Sequence, residues 1–208
     1  MVPRILSPRT IGDVVAEDVQ PSPGDRILDI GCGPAKIVSA LDPSIDYVGF
    51  DPSDAYIAAA REAFGSRAKL SVNRIETFSL DEPGSFDIVL ALGVLHHLSD
   101  EAADRLLAVA ARALKPGGRF IARDPGFTVG QNWIARMLAR MDRGRMVRFP
   151  EPHEALARRH FDDVELRVTH DRMRVPYTHF TMFCRAPASK ARASDAAAPV
   201  PSARSGSR

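Results

Sequence analysis

From Ile11 to Arg123 the chain alternates two patterns. In RILDI, YVGFD, AKLSV, FDIVLAL and RFIAR apolar residues occupy consecutive positions, bounded by acids, glycines or prolines. In IGDVVAEDV, AYIAAAREAF and DEAADRLLAVAARAL they recur at i, i+3 and i+4, the spacing of one helix face. The first set predicts strands and the second amphipathic helices. Continuous apolar runs mean burial on both sheet faces, so a parallel sheet between helical layers is expected. Asp100 heads the third helical pattern in the position of an N-cap.

After Asp124 the pattern loosens. NWIARMLARM and PHEALARRHF read as helices, and VELRVT and HFTMFC as two closely spaced strands. Their spacing predicts an antiparallel hairpin that finishes the sheet. The segment 186–208 is rich in Ala, Pro, Ser and Arg and has no apolar face, so it is expected to be a disordered tail behind one domain over residues 1–185.

Composition narrows the class. A chain of 208 residues with 45% hydrophobic content suits one α/β domain with a full core. The formal charge is +2, but the tail holds Lys190, Arg192, Arg204 and Arg208 against Asp195 alone. The other 185 residues carry 24 positive and 25 negative charges, a poor match to the basic footprint of a nucleic-acid binder. Cys32 and Cys184 stand far apart and in no metal-ligand spacing, so neither a disulfide framework nor a metal site is expected. The N-terminus lacks the apolar stretch of a secretory signal. The longest apolar run, IVLALGVL, is far below the ~20 residues of a membrane helix. A soluble cytoplasmic protein is the expectation.

The candidate chemistry begins at ILDIGCGPA, where Gly31 and Gly33 follow the first strand. Glycines at a strand-to-helix turn tolerate positive φ and let backbone amides approach a ligand. The dinucleotide fingerprint requires a third glycine where the chain has Lys36, which argues against a nicotinamide cofactor. Asp51 closes the second strand, placed to accept both hydroxyls of a ribose or, since Pro52 follows, to cap a helix.

Five ordered blocks, LDIGCGP, VGFDPS, VNRIETF, FDIVLALGVLHHL and LKPGGRF, cover roughly residues 25–124. In them the chain resembles the class I S-adenosylmethionine-dependent methyltransferases, of the kind that act on small molecules. The resemblance implies a Rossmann-like, mostly parallel seven-stranded sheet flanked by helices, with S-adenosylmethionine as cofactor. It implies that Asp29 and the Gly31–Cys32–Gly33 backbone hold the methionine moiety and that Asp51 binds the ribose, flanked by Pro52 or Ser53. Asn73, Arg74 and Ile75 would line the adenine, and Ala91, Leu92 and Gly93 would offer backbone groups. Two positions depart from the family pattern: Ala35 stands at the third small position, and the Asp next to adenine is replaced around Asn73–Ile75.

The cofactor half would span about 25–124 and a substrate cover about 125–180. His96 and His97 follow the fourth strand, where an acceptor enters, and an imidazole suits a general base. Some similar O-methyltransferases use a histidine of this pair, whereas packing or capping is the bland reading. Asp124, at the same rim, could orient or share the proton. His153, His160, His170 and His179 are scattered and read as surface or packing residues. In the cover, Trp133, Met137 and Met141 form an apolar stripe. Arg136, Arg140, Arg143, Arg145 and Arg148, opposed only by Asp142, would suit an anionic acceptor if they are not simply a solvated face.

The leading expectation is methyl transfer to a small molecule, with oxygen favoured by the histidine pair. Competing readings are a nucleic-acid or protein methyltransferase, a non-catalytic cofactor-binding partner subunit and, last, a nicotinamide oxidoreductase. ALGVLHHL lacks the Asn/Asp-Pro-Pro-aromatic stretch of amino-methylating DNA enzymes. Acceptor identity and oligomeric state are left open by the sequence.

Overall fold

The computed structural model describes residues 10–127, 149–171 and 177–186. Seven strands form one sheet: β1 (Arg26–Ile30), β2 (Asp46–Asp51), β3 (Ala68–Val72), β4 (Phe86–Leu92), β5 (Leu114–Pro125), β6 (Asp163–Asp171) and β7 (Tyr177–Arg185). Their order is β3-β2-β1-β4-β5-β7-β6. The first five run parallel, and β7 is antiparallel to both its neighbours, so the expected hairpin completes the sheet. The alternating apolar pattern and the five continuous runs therefore yield the expected α/β architecture.

Both faces are covered. On one, α1 (Ile11–Val14, continued by a wider π turn over Val15–Val19), a short 3₁₀ helix (Lys36–Ala40) and α2 (Asp54–Phe64) pack Val19, Ile37 and Val38 onto Ile27, Ile88 and Ile121. On the other, α3 (Asp100–Ala113) and α4 (Glu151–Ala157) pack Leu106, Leu107 and Leu156 onto Leu28, Val89 and Phe120. Alternate strand residues thus serve two cores, which is why the runs are uninterrupted.

Helix ends differ from expectation in three places. Ser99, not Asp100, caps α3: its hydroxyl accepts from the Ala102 amide, and Asp100 lies in the first turn, where its charge favours the positive helix end. The first helical pattern ends in a π turn, where the Gln20 amide donates to the Val15 carbonyl, and Arg119 reaches from β5 to the carbonyls of Val19 and Gln20. The pattern PHEALARRHF stays helical only to Ala157. Its last residues turn away, so that Phe161 stacks on Phe120 with centroids 5.8 Å apart and His160 reaches Asp104 at 3.0 Å.

At the amino ends of the strands Arg26 ties the sheet. It pairs with Asp46 and Glu82, its amide donates to Asp87, and its guanidinium lies over Phe86. That leaves the carboxyl ends of β1 and β4, where the strand order reverses, as the crevice of this architecture. Among the described residues no helix is long and apolar enough to cross a membrane. The apolar stripe at Trp133, the arginines from Arg136 to Arg148, and the tail from Pro187 lie outside the described residues.

Gln20 ends the π turn in the left-handed region, at φ 46° and ψ 56°, with its side chain exposed. A side chain at such a helix terminus costs roughly 1 kcal/mol against glycine. Gln20→Gly should therefore raise the melting temperature by about 2–4 °C in a scanning thermal melt.

Candidate active site

The loop after β1 is tied down by β2. The amides of Gly31 and Cys32 both donate to the Phe50 carbonyl, at 2.8 and 3.0 Å, and the Gly33 amide donates to Asp51 Oδ2 at 3.0 Å. All three amides thus donate to β2, and the Cys32 carbonyl accepts from the Ala35 amide at 2.9 Å. Gly31 and Gly33 both have positive φ, 71° and 53°. A Cβ on Gly31 would meet Val94 Cγ2 at 2.8 Å, whereas one on Gly33 would meet nothing within 4 Å. Glycine at 31 is thus a packing requirement, and Gly33 borders open space. Ala35, the family departure, is itself left-handed at φ 51° and fully buried.

Two residues before Gly31, Asp29 on β1 is a buried acid. Asp29 is 3% exposed, and its Oδ2 accepts from the Tyr47 hydroxyl at 2.7 Å. Its Oδ1 is buried with no hydrogen-bond partner among the described residues. Burial raises the Asp29 carboxyl to about 7, opposed by the Tyr47 bond and reinforced by the charge of Asp51. The Cys32 thiol is likewise pushed far up, by burial first and then by Asp29 and Asp51, which makes it a poor nucleophile. Gly49, the β2 partner of Asp29, leaves room for Cys32: a Cβ there would sit 3.0 Å from its sulfur. No sequence pattern points to Tyr47 or Gly49, because only the β1–β2 register brings them beside Asp29.

Asp51 ends β2 and is 8% exposed. Besides the Gly33 amide, it accepts from the Ser53 amide at 2.8 Å, and its carbonyl accepts from the Asn73 amide at 3.2 Å. It is not the helix cap that Pro52 suggested; Ser53 caps α2. Asn73 and Arg74 follow β3, with the Asn73 side chain donating to Ser71 and Arg74 exposed. Ile75 is buried in the core. Ala91 is fully buried, Leu92 is half-buried and Gly93 is exposed, its amide donating to the Arg123 carbonyl.

The two histidines separate. His97 is exposed, whereas His96 is 7% exposed and sits in a short 3₁₀ turn after β4. His96 Nδ1 lies 2.6 Å from Asp124 Oδ1, and the His96 amide donates to the same oxygen at 3.1 Å. An oxygen that accepts from both groups holds the imidazole proton on Nδ1 and leaves the Nε2 lone pair free. Asp124 is fully buried, and burial raises its carboxyl while the His96 bond lowers it. The His97 ring lies against that of His96, with centroids 3.9 Å apart. Among the other histidines, His153 is buried and stacks on Phe180, His160 pairs with Asp104, and His179 is half-buried on β7. The His170 side chain lies outside the described residues.

Residues 28–120 match a family model described as a methyltransferase domain. The ubiquinone biosynthesis O-methyltransferase of Bradyrhizobium sp. (strain ORS 278) is 36% identical over 119 residues, which cover 56% of this chain and 44% of that protein. The chain spans about half, or less, of the length of the curated relatives it matches. Phosphoethanolamine N-methyltransferase 2 of Haemonchus contortus, solved with phosphomonomethylethanolamine and S-adenosylhomocysteine, has the same fold. Its TM-score is 0.68 at 19% identity, over 85% of this chain and 52% of that one. A methyltransferase structure from Methanosarcina mazei aligns with a TM-score of 0.65 at 20% identity, over 81% of this chain and 95% of that one.

Asp29 gives the ligand-free fold a pH dependence. Its folded pKa, about 7, lies above the ordinary 3.8, so its contribution is full below the ordinary value and is lost as pH rises towards 7. Asp29→Asn keeps an acceptor for Tyr47 and removes the charge. Its melting temperature should exceed wild type at pH 8, with the gap closing as pH is lowered to 5. A gap independent of pH would show that Asp29 is not a buried, reluctant acid.

Proposed function

We propose that the chain, whose residues 28–120 match a methyltransferase-domain model, is a class I S-adenosylmethionine-dependent methyltransferase that transfers a methyl group to a hydroxyl of a small-molecule acceptor, with His96 as general base. The observation that carries the oxygen assignment is the buried 2.6 Å bond from His96 Nδ1 to Asp124. The name of the Bradyrhizobium relative supports the same choice.

The residues present fit the cofactor. Asp29 has a buried oxygen without a partner among the described residues, and an ammonium group would supply one. Gly33 borders open space. In this reading Asp29 and the Gly31–Gly33 backbone hold the amino-acid end, and Asp51, fixed by two amides, accepts from the ribose beside Pro52. Asn73, Arg74 and the Ile75 backbone take the adenine edge, and the Ala91–Gly93 backbone closes the floor. When bound, S-adenosylmethionine supplies a methyl group already activated on a sulfonium, so alignment supplies most of the rate.

A hydroxyl becomes a good nucleophile only as its proton leaves. His96 Nε2 would accept that proton, and Asp124 would hold the ring in orientation and stabilise the imidazolium. Burial of Asp124 strengthens that interaction, because little water competes for the charge. His97 would pack against the base rather than replace it. The arginines from Arg136 to Arg148 would favour an anionic acceptor.

The test is a panel of small hydroxyl and amine acceptors, with release of S-adenosylhomocysteine as readout. Hydroxyl acceptors should turn over. His96→Ala and Asp124→Asn should each lower turnover roughly 10²–10⁴-fold while calorimetric affinity for S-adenosylhomocysteine stays near wild type. Both variants at full rate would place the base elsewhere or point to an amine acceptor. Asp51→Ala should weaken S-adenosylhomocysteine by about 2–4 kcal/mol, and unchanged affinity would remove Asp51 from the site.

A further inference from the structure

The segment after β3 has a second set of anchors that come from α3. Within it, the Arg74 carbonyl accepts from the amides of Thr77 and Phe78, closing a turn over residues 74–78. Two side chains fasten that turn to the body: Ile75 is buried, and Phe78 stacks on Phe50 with centroids 4.1 Å apart and an interplanar angle of 14°. Between residues 77–80 and α3 there is a cleft of about 280 Å³. Arg105 spans it. From α3 its Nε donates to the Ile75 carbonyl at 2.7 Å and its Nη2 to the Phe78 carbonyl at 3.4 Å.

The helix does not need Arg105 for its own place. Ala103, Leu106, Leu107 and Ala110 are all fully buried and hold α3 on the sheet, while Arg105 is an exposed residue. A guanidinium is one of the few groups that can serve two carbonyls at once, because its N–H donors project from a rigid plane. Its donors go to backbone carbonyls of the one segment that leads back to Asn73 and Asp51.

Resting on the cofactor reading above, we propose that Arg105 is a positioning residue for adenine recognition: its guanidinium, bonded to the Ile75 and Phe78 carbonyls, holds the 73–78 turn in the geometry that reads the adenine edge. It touches no part of the ligand itself. The same bridge joins that turn to α3, the helix that begins four residues after His96, so the nucleoside side and the base side share a support.

The test compares calorimetric binding of S-adenosylhomocysteine and S-inosylhomocysteine, in which an oxygen replaces the exocyclic amine of adenine. Wild type should prefer the adenine compound by tenfold or more. In Arg105→Ala, affinity for S-adenosylhomocysteine should fall about tenfold and the preference should collapse to within threefold, with the ligand-free melting temperature little changed. Arg105→Met keeps the stem's packing and should behave like Arg105→Ala, which guards against a folding defect in either one. Arg105→Lys, with charge but no fork, should fall between. Wild-type affinity and preference in the variants would overturn the proposal. So would an equal loss for both ligands, which is what a merely structural arginine gives, or a wild type that does not distinguish them. A wild type that binds neither compound would defeat the cofactor reading itself, and this proposal with it.

Discussion

The closure of the β1 loop onto the end of β2 positions the rest of the site. Three successive amides, of Gly31, Cys32 and Gly33, are satisfied by the Phe50 carbonyl and the Asp51 carboxylate. Left unpaired in a half-buried loop they would each carry a desolvation cost of about 1–3 kcal/mol. The bonds need positive φ at both glycines and allow no side chain at 31, where Val94 of the β4 loop closes in. They also fix Asp51, so the residue that ends β2 is oriented before any ligand arrives. Asp29 is trapped below, in contact with Tyr47, with one oxygen unanswered.

A second constraint acts across β4 and β5. Parallel pairing brings Leu92 beside Arg123, so the turn after β4 falls next to Asp124. His96 then gives both its amide and its ring Nδ1 to one carboxylate oxygen. Asp124 is thereby both a brace for the turn and the partner of the ring, and neither role separates from the other by geometry. The two acids share one feature: Asp29 Oδ1 and Asp124 Oδ2 are each buried without a hydrogen-bond partner among the described residues, while both donors to Asp124 go to its Oδ1.

The two ends are mechanically joined. The turn after β3 rests on Phe50 through Phe78 and on α3 through Arg105, and α3 is capped by Ser99, just beyond the histidines. Strand ends supply the functional groups, and helices behind them hold the intervening turns.

Much of this was legible in the sequence. Uninterrupted apolar runs such as FDIVLAL determine a two-faced parallel sheet, because no other arrangement buries consecutive side chains. Gly31 and Gly33 follow β1 by one and three residues, Asp51 ends β2, and the two histidines follow β4 by four and five, so these groups mark the carboxyl edge. Only the tertiary structure decided how those groups are used. Register placed Gly49 and Tyr47 beside Asp29, and a crossover of 28 residues brought Asp124 to His96 rather than to His97. It turned the loop's amides inward to β2, and it gave Ser99 the cap that Asp100 resembled. Sequence periodicity specifies which face a residue occupies. Which partner it meets there depends on strand register and on the few tenths of an ångström that separate a hydrogen bond from a contact.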